Sequence, residues 1–160
     1  MKTLLSVLAS VGFATLALAI PQTFNNNTFV NAVGQPLEDA VAQVAAFEPG
    51  VEPKGQWSSV AGKPDVLKLE LSAVVFGVPA SEVTAERKNN AVAKYRIVYG
   101  ADDDRKRGKQ QSSLEARVLA GISAYTEKPA TLREPIVYKG VKIAVLRGKR
   151  GDVIVEISRA

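Results

Sequence analysis

The chain contains neither cysteine nor histidine. Without cysteine there is no disulfide framework, no zinc–thiolate site and no thiol nucleophile. Without histidine, every imidazole-dependent triad, acid–base pair and metal site is excluded. Aromatic residues are scarce, at 6% with a single Trp, which disfavours a nucleic-acid surface built on base stacking. No Gly-x-Ser-x-Gly elbow, phosphate loop or Gly-x-Gly-x-x-Gly run occurs. Beyond the first 19 residues, no segment approaches the roughly 18 apolar residues that a membrane span requires.

What is present is a globular composition, 46% apolar and 23% charged. Residues 1–19 read as a secretory signal peptide: Lys2 is the basic n-region, Leu4 to Leu18 the apolar stretch, and Ala17-Leu18-Ala19 a small-x-small cleavage site. Removing 19 of the 160 residues leaves 141, the length of one ordinary domain. The expected organisation is a leader over 1–19, a flexible N-terminal segment over 20–34 and one domain over 35–160, with no transmembrane segment in the mature chain. Asn26-Asn27-Thr28 is an N-glycosylation sequon at Asn26. The leader, the Ala19-Ile20-Pro21-Gln22 junction and the length resemble the small secreted, effector-like proteins of filamentous fungi. That resemblance implies export and carries over no site residue. A bacterial exported protein fits the same leader.

Periodicity predicts helices over 35–47, opened by Pro36 and faced by Leu37, Val41 and Val44, and over 112–125, where Ser112 and Glu115 have capping-box spacing and Leu114, Val118, Ile122 and Tyr125 form a stripe. Residues 48–65, rich in Pro and Gly, read as a long loop with Trp57 as a lid over the core. Two-residue alternation predicts strands over 66–76, 91–99, 136–138, 141–145 and 153–158. Ser81 is placed as the cap of a short helical turn through Glu86, and Asn89-Asn90 as a turn. The fold expected is α+β: an antiparallel sheet of about four to five strands with two main helices packed on one face.

Charge is unevenly spread. Residues 20–86 hold three bases and eight acids; residues 87–150 hold sixteen bases and six acids, a net of +10. Such a segment is a candidate anion-binding surface. Arg105, Lys106, Arg107 and Lys109 are densest in one loop; Arg147, Lys149 and Arg150 sit in a predicted hairpin turn. They form one patch if both segments lie at the same end of the sheet. Anionic glycan or a membrane surface fits better than nucleic acid.

Other motifs are weaker. Arg150-Gly151-Asp152 is an adhesion tripeptide in a turn. Lys106-Arg107 and Lys149-Arg150 have dibasic processing form. Asp102, Asp103 and Asp104 are oxygen donors, but they match no calcium-loop spacing and lie beside Arg105 to Arg107. Neither a metal nor a cofactor is expected. Glu70 and Glu156, both on predicted strands, are the one carboxylate pair available to a glycosidase-like reaction. The sequence therefore favours a small secreted, non-enzymatic protein acting by surface contact, with an anionic partner bound by its basic C-terminal half. The alternative is a carboxylate-dependent secreted hydrolase acting on polysaccharide.

Overall fold

Alternation along the chain is the main structural signal, and in the computed structural model it builds far more sheet than helix. The structure describes residues 22–23, 26–36, 57–69, 73–100, 107–149 and 151–160. The predicted signal peptide over 1–19, residues 37–47 of the first predicted helix, Glu70, Asp102 to Asp104, Arg105, Lys106 and Arg150 lie outside the described residues.

In chain order the elements are β1 (Gln22–Thr23), α1 (Asn26–Ala32), β2 (Trp57–Val60), β3 (Lys63–Leu69), β4 (Ala73–Val75), β5 (Val78–Ala80), β6 (Glu82–Lys88), β7 (Ala91–Tyr99), α2 (Arg107–Thr126), β8 (Ile136–Tyr138), β9 (Val141–Arg147) and β10 (Val153–Arg159). Seven strands form one sheet in the order β2-β3-β6-β7-β10-β9-β8, and β1-β4-β5 form a small second sheet. Every neighbouring pair in the large sheet is antiparallel. After β7 the chain crosses through α2, and the meander β8-β9-β10 returns so that β10 pairs with β7.

The expected α+β architecture is thus corrected to a mostly β one. Its seven-stranded sheet exceeds the four to five strands predicted, and α2 is the one long helix among the described residues. Two misreadings account for most of the difference. Residues 82–88 are a strand, not a helical turn: Val83 and Ala85 are buried while Glu82, Thr84 and Glu86 face outward. Ser81 caps nothing helical; its hydroxyl and its backbone N–H both donate to the Val98 carbonyl. Part of the expected loop 48–65 is the β2–β3 hairpin. Pro64 is accommodated because the β3–β6 ladder begins only at Val66 and the β2–β3 register shifts beside it. The predicted strand 66–76 is likewise divided, into β3 and β4.

Residues 26–36, of and beside the expected flexible N-terminal segment, are described. They contain α1, whose Phe29 and Val30 are buried, Phe29 lying edge-on to Tyr95 at 5.3 Å between ring centres. Pro36 is in an isolated bridge to Ala91, where a helix start was expected. The preceding Gly34 turns at φ +83° and donates its N–H to the Val92 carbonyl. A side chain there would strike the Arg159 guanidinium.

The inner face of the large sheet carries Val83, Ala85, Tyr95, Ile97, Tyr99, Val153, Val155, Ile157, Ile143 and Val145, all buried. A register shift between Glu86 and Arg87 pairs Arg87 with Val92 and Glu86 with Lys94, so Ala93 is the extra residue and Val92 turns inward. Val118 and Ile122 of α2 cover this face, flanked by Leu114 and Tyr125. Full burial of one such aliphatic side chain is worth about 1.5–3 kcal/mol, so this layer carries the fold's stability. α2 approaches closely because residue 121 is Gly: a Cβ there would overlap the Phe76 carbonyl oxygen. Phe76 itself sits at φ +51° in the β4–β5 turn, an uncommon conformation for an aromatic residue. It is held by burial, by Tyr125 at 5.6 Å, and by its N–H donating to Asn26 Oδ1 at 2.9 Å.

Trp57 lies on β2 and packs against the core, its ring 6.4 Å from that of Tyr95. The Trp57 indole N–H and the Tyr95 hydroxyl are buried without a hydrogen-bond partner among the described residues. By contrast, the Tyr99 hydroxyl donates to the Val75 carbonyl at 3.1 Å. Among the described residues no helix is long and apolar enough to cross a membrane.

Candidate functional site

The predicted basic site spans the start of α2 and the β9–β10 turn, and two contacts fix how these lie. Near the C-terminal end of α2, Tyr125 meets Tyr138 of β8 at 5.2 Å, edge to face. Toward its N-terminal half, Glu115 accepts two hydrogen bonds from Arg147, at 2.7 and 2.9 Å. Tyr138 pairs with Val141 at the start of β9, whereas Arg147 ends β9. α2 therefore runs antiparallel to β9, and its N-terminus lies toward the β9–β10 turn. Arg107 is eight residues before Glu115, about 12 Å along the axis at the helical rise. The backbone positions of Arg107 and Lys109 thus share one end of the molecule with exposed Lys149.

Arg147, a member of the predicted anion-binding set, is paired within the chain. Its guanidinium donates to Glu115 through Nε and Nη2, and this contact holds its own pKa above the ordinary value. The Glu115 side chain is 9% exposed and that of Arg147 58%. The arginine thus serves as the outer half of a clamp that neutralises a carboxylate set into the helix's apolar stripe. Sequence reasoning treated Glu115 as a capping-box partner of Ser112, but α2 begins five residues before Ser112. The available signal was spacing: Glu115 precedes Val118 by three, which puts it on the inward face. Gly148 and Asp152 close the β9–β10 turn through a 2.7 Å backbone bond.

A second charged surface went unnoticed in the sequence. It is the outer face of the large sheet, opposite α2. Lys94 on β7 reaches Glu86 at 3.0 Å and Glu156 at 3.5 Å, and Lys68 reaches Glu82 at 3.7 Å. The hydrogen bond that Lys94 donates to the Glu86 carboxylate raises the Lys94 pKa. Partial burial opposes it, and the charges of Glu156 and Glu86 add to it. Glu156, one member of the nominated hydrolase pair, is therefore engaged in an ion pair on this face. Among the described residues no cluster of three or more metal-ligating side chains occurs. The sequon's Asn26 is half-buried at the start of α1, with its Oδ1 accepting the Phe76 N–H.

Comparison with protein families, with curated proteins and with solved structures finds no match to this chain.

Proposed function

We propose that this is a secreted, non-enzymatic protein that acts by surface contact, binding an anionic glycan through the basic end formed by the α2 N-terminus and the β9–β10 turn. The observation that carries this reading is the Glu115–Arg147 clamp, which joins two segments 32 residues apart in sequence. With the Tyr125–Tyr138 contact it sets the direction of α2, whose N-terminus lies toward the β9–β10 turn. Lys149 is exposed there, and Arg107 and Lys109 stand in the first turn of the helix. A glycan suits this end better than nucleic acid, because no aromatic residue interleaves with Arg107, Lys109 and Lys149 in their segments for base stacking. The basic residues offer charge, and their binding weakens as salt screens it.

The test is retention on a sulfated-glycan column over a NaCl gradient. The combined variant Arg107→Gln, Lys109→Gln and Lys149→Gln is expected to elute at clearly lower salt than the parent. Equal retention of parent and variant, or retention that does not weaken with salt, would sink the reading.

A further inference from the structure

The outer face of the sheet holds a concavity of about 510 Å³ spanned by β2, β3, β6 and β7. That size lies within the range of small-ligand sites, roughly 300–1,000 Å³. Strand register arranges its side chains in cross-strand rows. Lys68, Thr84, Arg96 and Glu156 are successive partners across β3, β6, β7 and β10; Val66, Glu86, Lys94 and Ser158 form the adjacent row.

Charge within the basin is unequal. Its carboxylates, Glu82 and Glu86, and neighbouring Glu156 are all engaged by two lysines, Lys68 and Lys94. Two further cations line the same space. The Arg96 and Lys63 side chains have no hydrogen-bond or ion-pair partner among the described residues, although the Arg96 carbonyl accepts from the Thr84 hydroxyl at 3.4 Å. Arg96 is half-buried between Thr84 on one side and Glu156 on the other, and the Glu156 carboxylate is drawn to Lys94. An arginine left unpaired on the floor of a concavity presents a planar fork of donors that matches a carboxylate.

We infer that this basin binds an acidic sugar, a polyhydroxylated molecule whose carboxylate docks on Arg96. The lining fits that class on three counts. Arg96 and Lys63 supply the surplus positive charge for one anionic group. Glu82, Glu86 and the Thr84 hydroxyl offer acceptors, and the lysines offer donors, for ring hydroxyls. Among the described residues no aromatic side chain lines the basin, so they offer a neutral sugar no stacking platform and favour a ligand with an ionic anchor. A compact dianion such as hydrogen phosphate gains from Arg96 but brings a second negative charge toward the nearby carboxylates and has only one hydroxyl to offer them. The site uses none of the residues of the basic helix end and stands independently of that reading.

The deciding experiment is an amide NMR titration of the secreted protein with D-glucuronate, alongside D-glucose and inorganic phosphate. Glucuronate is expected to give saturable shifts at Thr84, Lys94 and Arg96, with glucose and phosphate giving none there. Arg96→Gln should weaken glucuronate roughly tenfold or more, the loss expected for a charge-assisted bidentate contact. Should that variant lose its dispersed spectrum, Lys63→Gln serves instead and should weaken binding several-fold. The variant lacking Arg107, Lys109 and Lys149 charges should bind glucuronate like the parent, which separates this site from the helix end. Absence of saturable shifts in the parent, undiminished binding by a folded Arg96→Gln, or phosphate binding as tightly at the same amides would overturn the assignment.

Discussion

The two faces of the seven-stranded sheet are made by the same strands and have opposite chemistry. On β7, Tyr95, Ile97 and Tyr99 point inward and have no exposed surface, while Lys94 and Arg96 alternate with them on the outer face. The inner layer excludes water and gains about 1.5–3 kcal/mol for each large side chain. The outer ion pairs have side chains between 28% and 49% exposed, and exposed pairs of that kind contribute only about 0–1 kcal/mol. The difference teaches where substitutions are free to change contact properties without unmaking the fold. It also explains why the outer face tolerates an unpaired arginine.

The sharpest way to break this comparison is to disturb the inner layer at its tightest approach. Gly121→Ala on α2 forces the new methyl against the Phe76 carbonyl. Overpacking of this kind typically costs about 1–3 kcal/mol, and it opposes the helix-propensity gain of about 1 kcal/mol expected at an open site. A lower urea midpoint for Gly121→Ala checks it; a stabilised variant would mean that α2 does not rest on the β4–β5 turn.

A second prediction sharpens the contrast within the core. Tyr99→Phe removes the donor to the Val75 carbonyl and is expected to cost about 1 kcal/mol. Tyr95→Phe removes a buried hydroxyl without a partner among the described residues, so it should be neutral or stabilising. Reversal of that order in denaturant unfolding would contradict the hydrogen-bond assignment.

The clamp makes a third comparison, across a boundary rather than within a layer. Arg147→Met leaves the nearly buried Glu115 carboxylate unpaired, whereas Glu115→Gln leaves an arginine that water can solvate. The first variant should therefore lose more stability than the second. The midpoints of the two variants decide it.

The smallest effect concerns pH. Burial raises the pKa of Tyr95 and Tyr99 above their ordinary value of 10.0, and burial with the neighbouring Tyr138 pushes Tyr125 up to about 12. The folded chain then retains protons that the unfolded chain releases above pH 10, so stability is complete below that pH and declines as pH rises beyond it. Spectrophotometric titration should show Tyr125 ionising near pH 12, and Tyr95 and Tyr99 only with unfolding.

Much of this architecture was legible as alternation. The strands at 91–99, 136–138, 141–145 and 153–158, the Asn89-Asn90 turn and the long helix were all readable from spacing. That turn has φ of 53° and 58°, as a two-residue hairpin requires. β6 was missed because Ser81 and the charged run Glu82 to Lys88 mimic a capped helix, although Val83 and Ala85 already alternate beside the turn. β2 and the start of β3 were hidden by Gly62 and Pro64, whose backbones sit in a turn and outside the β3–β6 ladder. The basic segments were visible as composition, but their convergence depends on Glu115 meeting Arg147, a long-range contact without a local pattern. The outer basin was invisible for the same reason: Thr84, Arg96 and Glu156 become neighbours only through register.

The most direct test of the separation between the two faces uses adjacent residues on β7. Equilibrium urea unfolding of Ile97→Ala and Arg96→Gln compares an inward side chain with its outward neighbour. Ile97→Ala should lose about 2–5 kcal/mol, the usual cost of a core truncation. Arg96→Gln should stay within about 0.5 kcal/mol of the parent, as surface substitutions do. Comparable losses at the two positions, or a tolerated Ile97→Ala, would contradict the assignment of stability to one face and contact to the other.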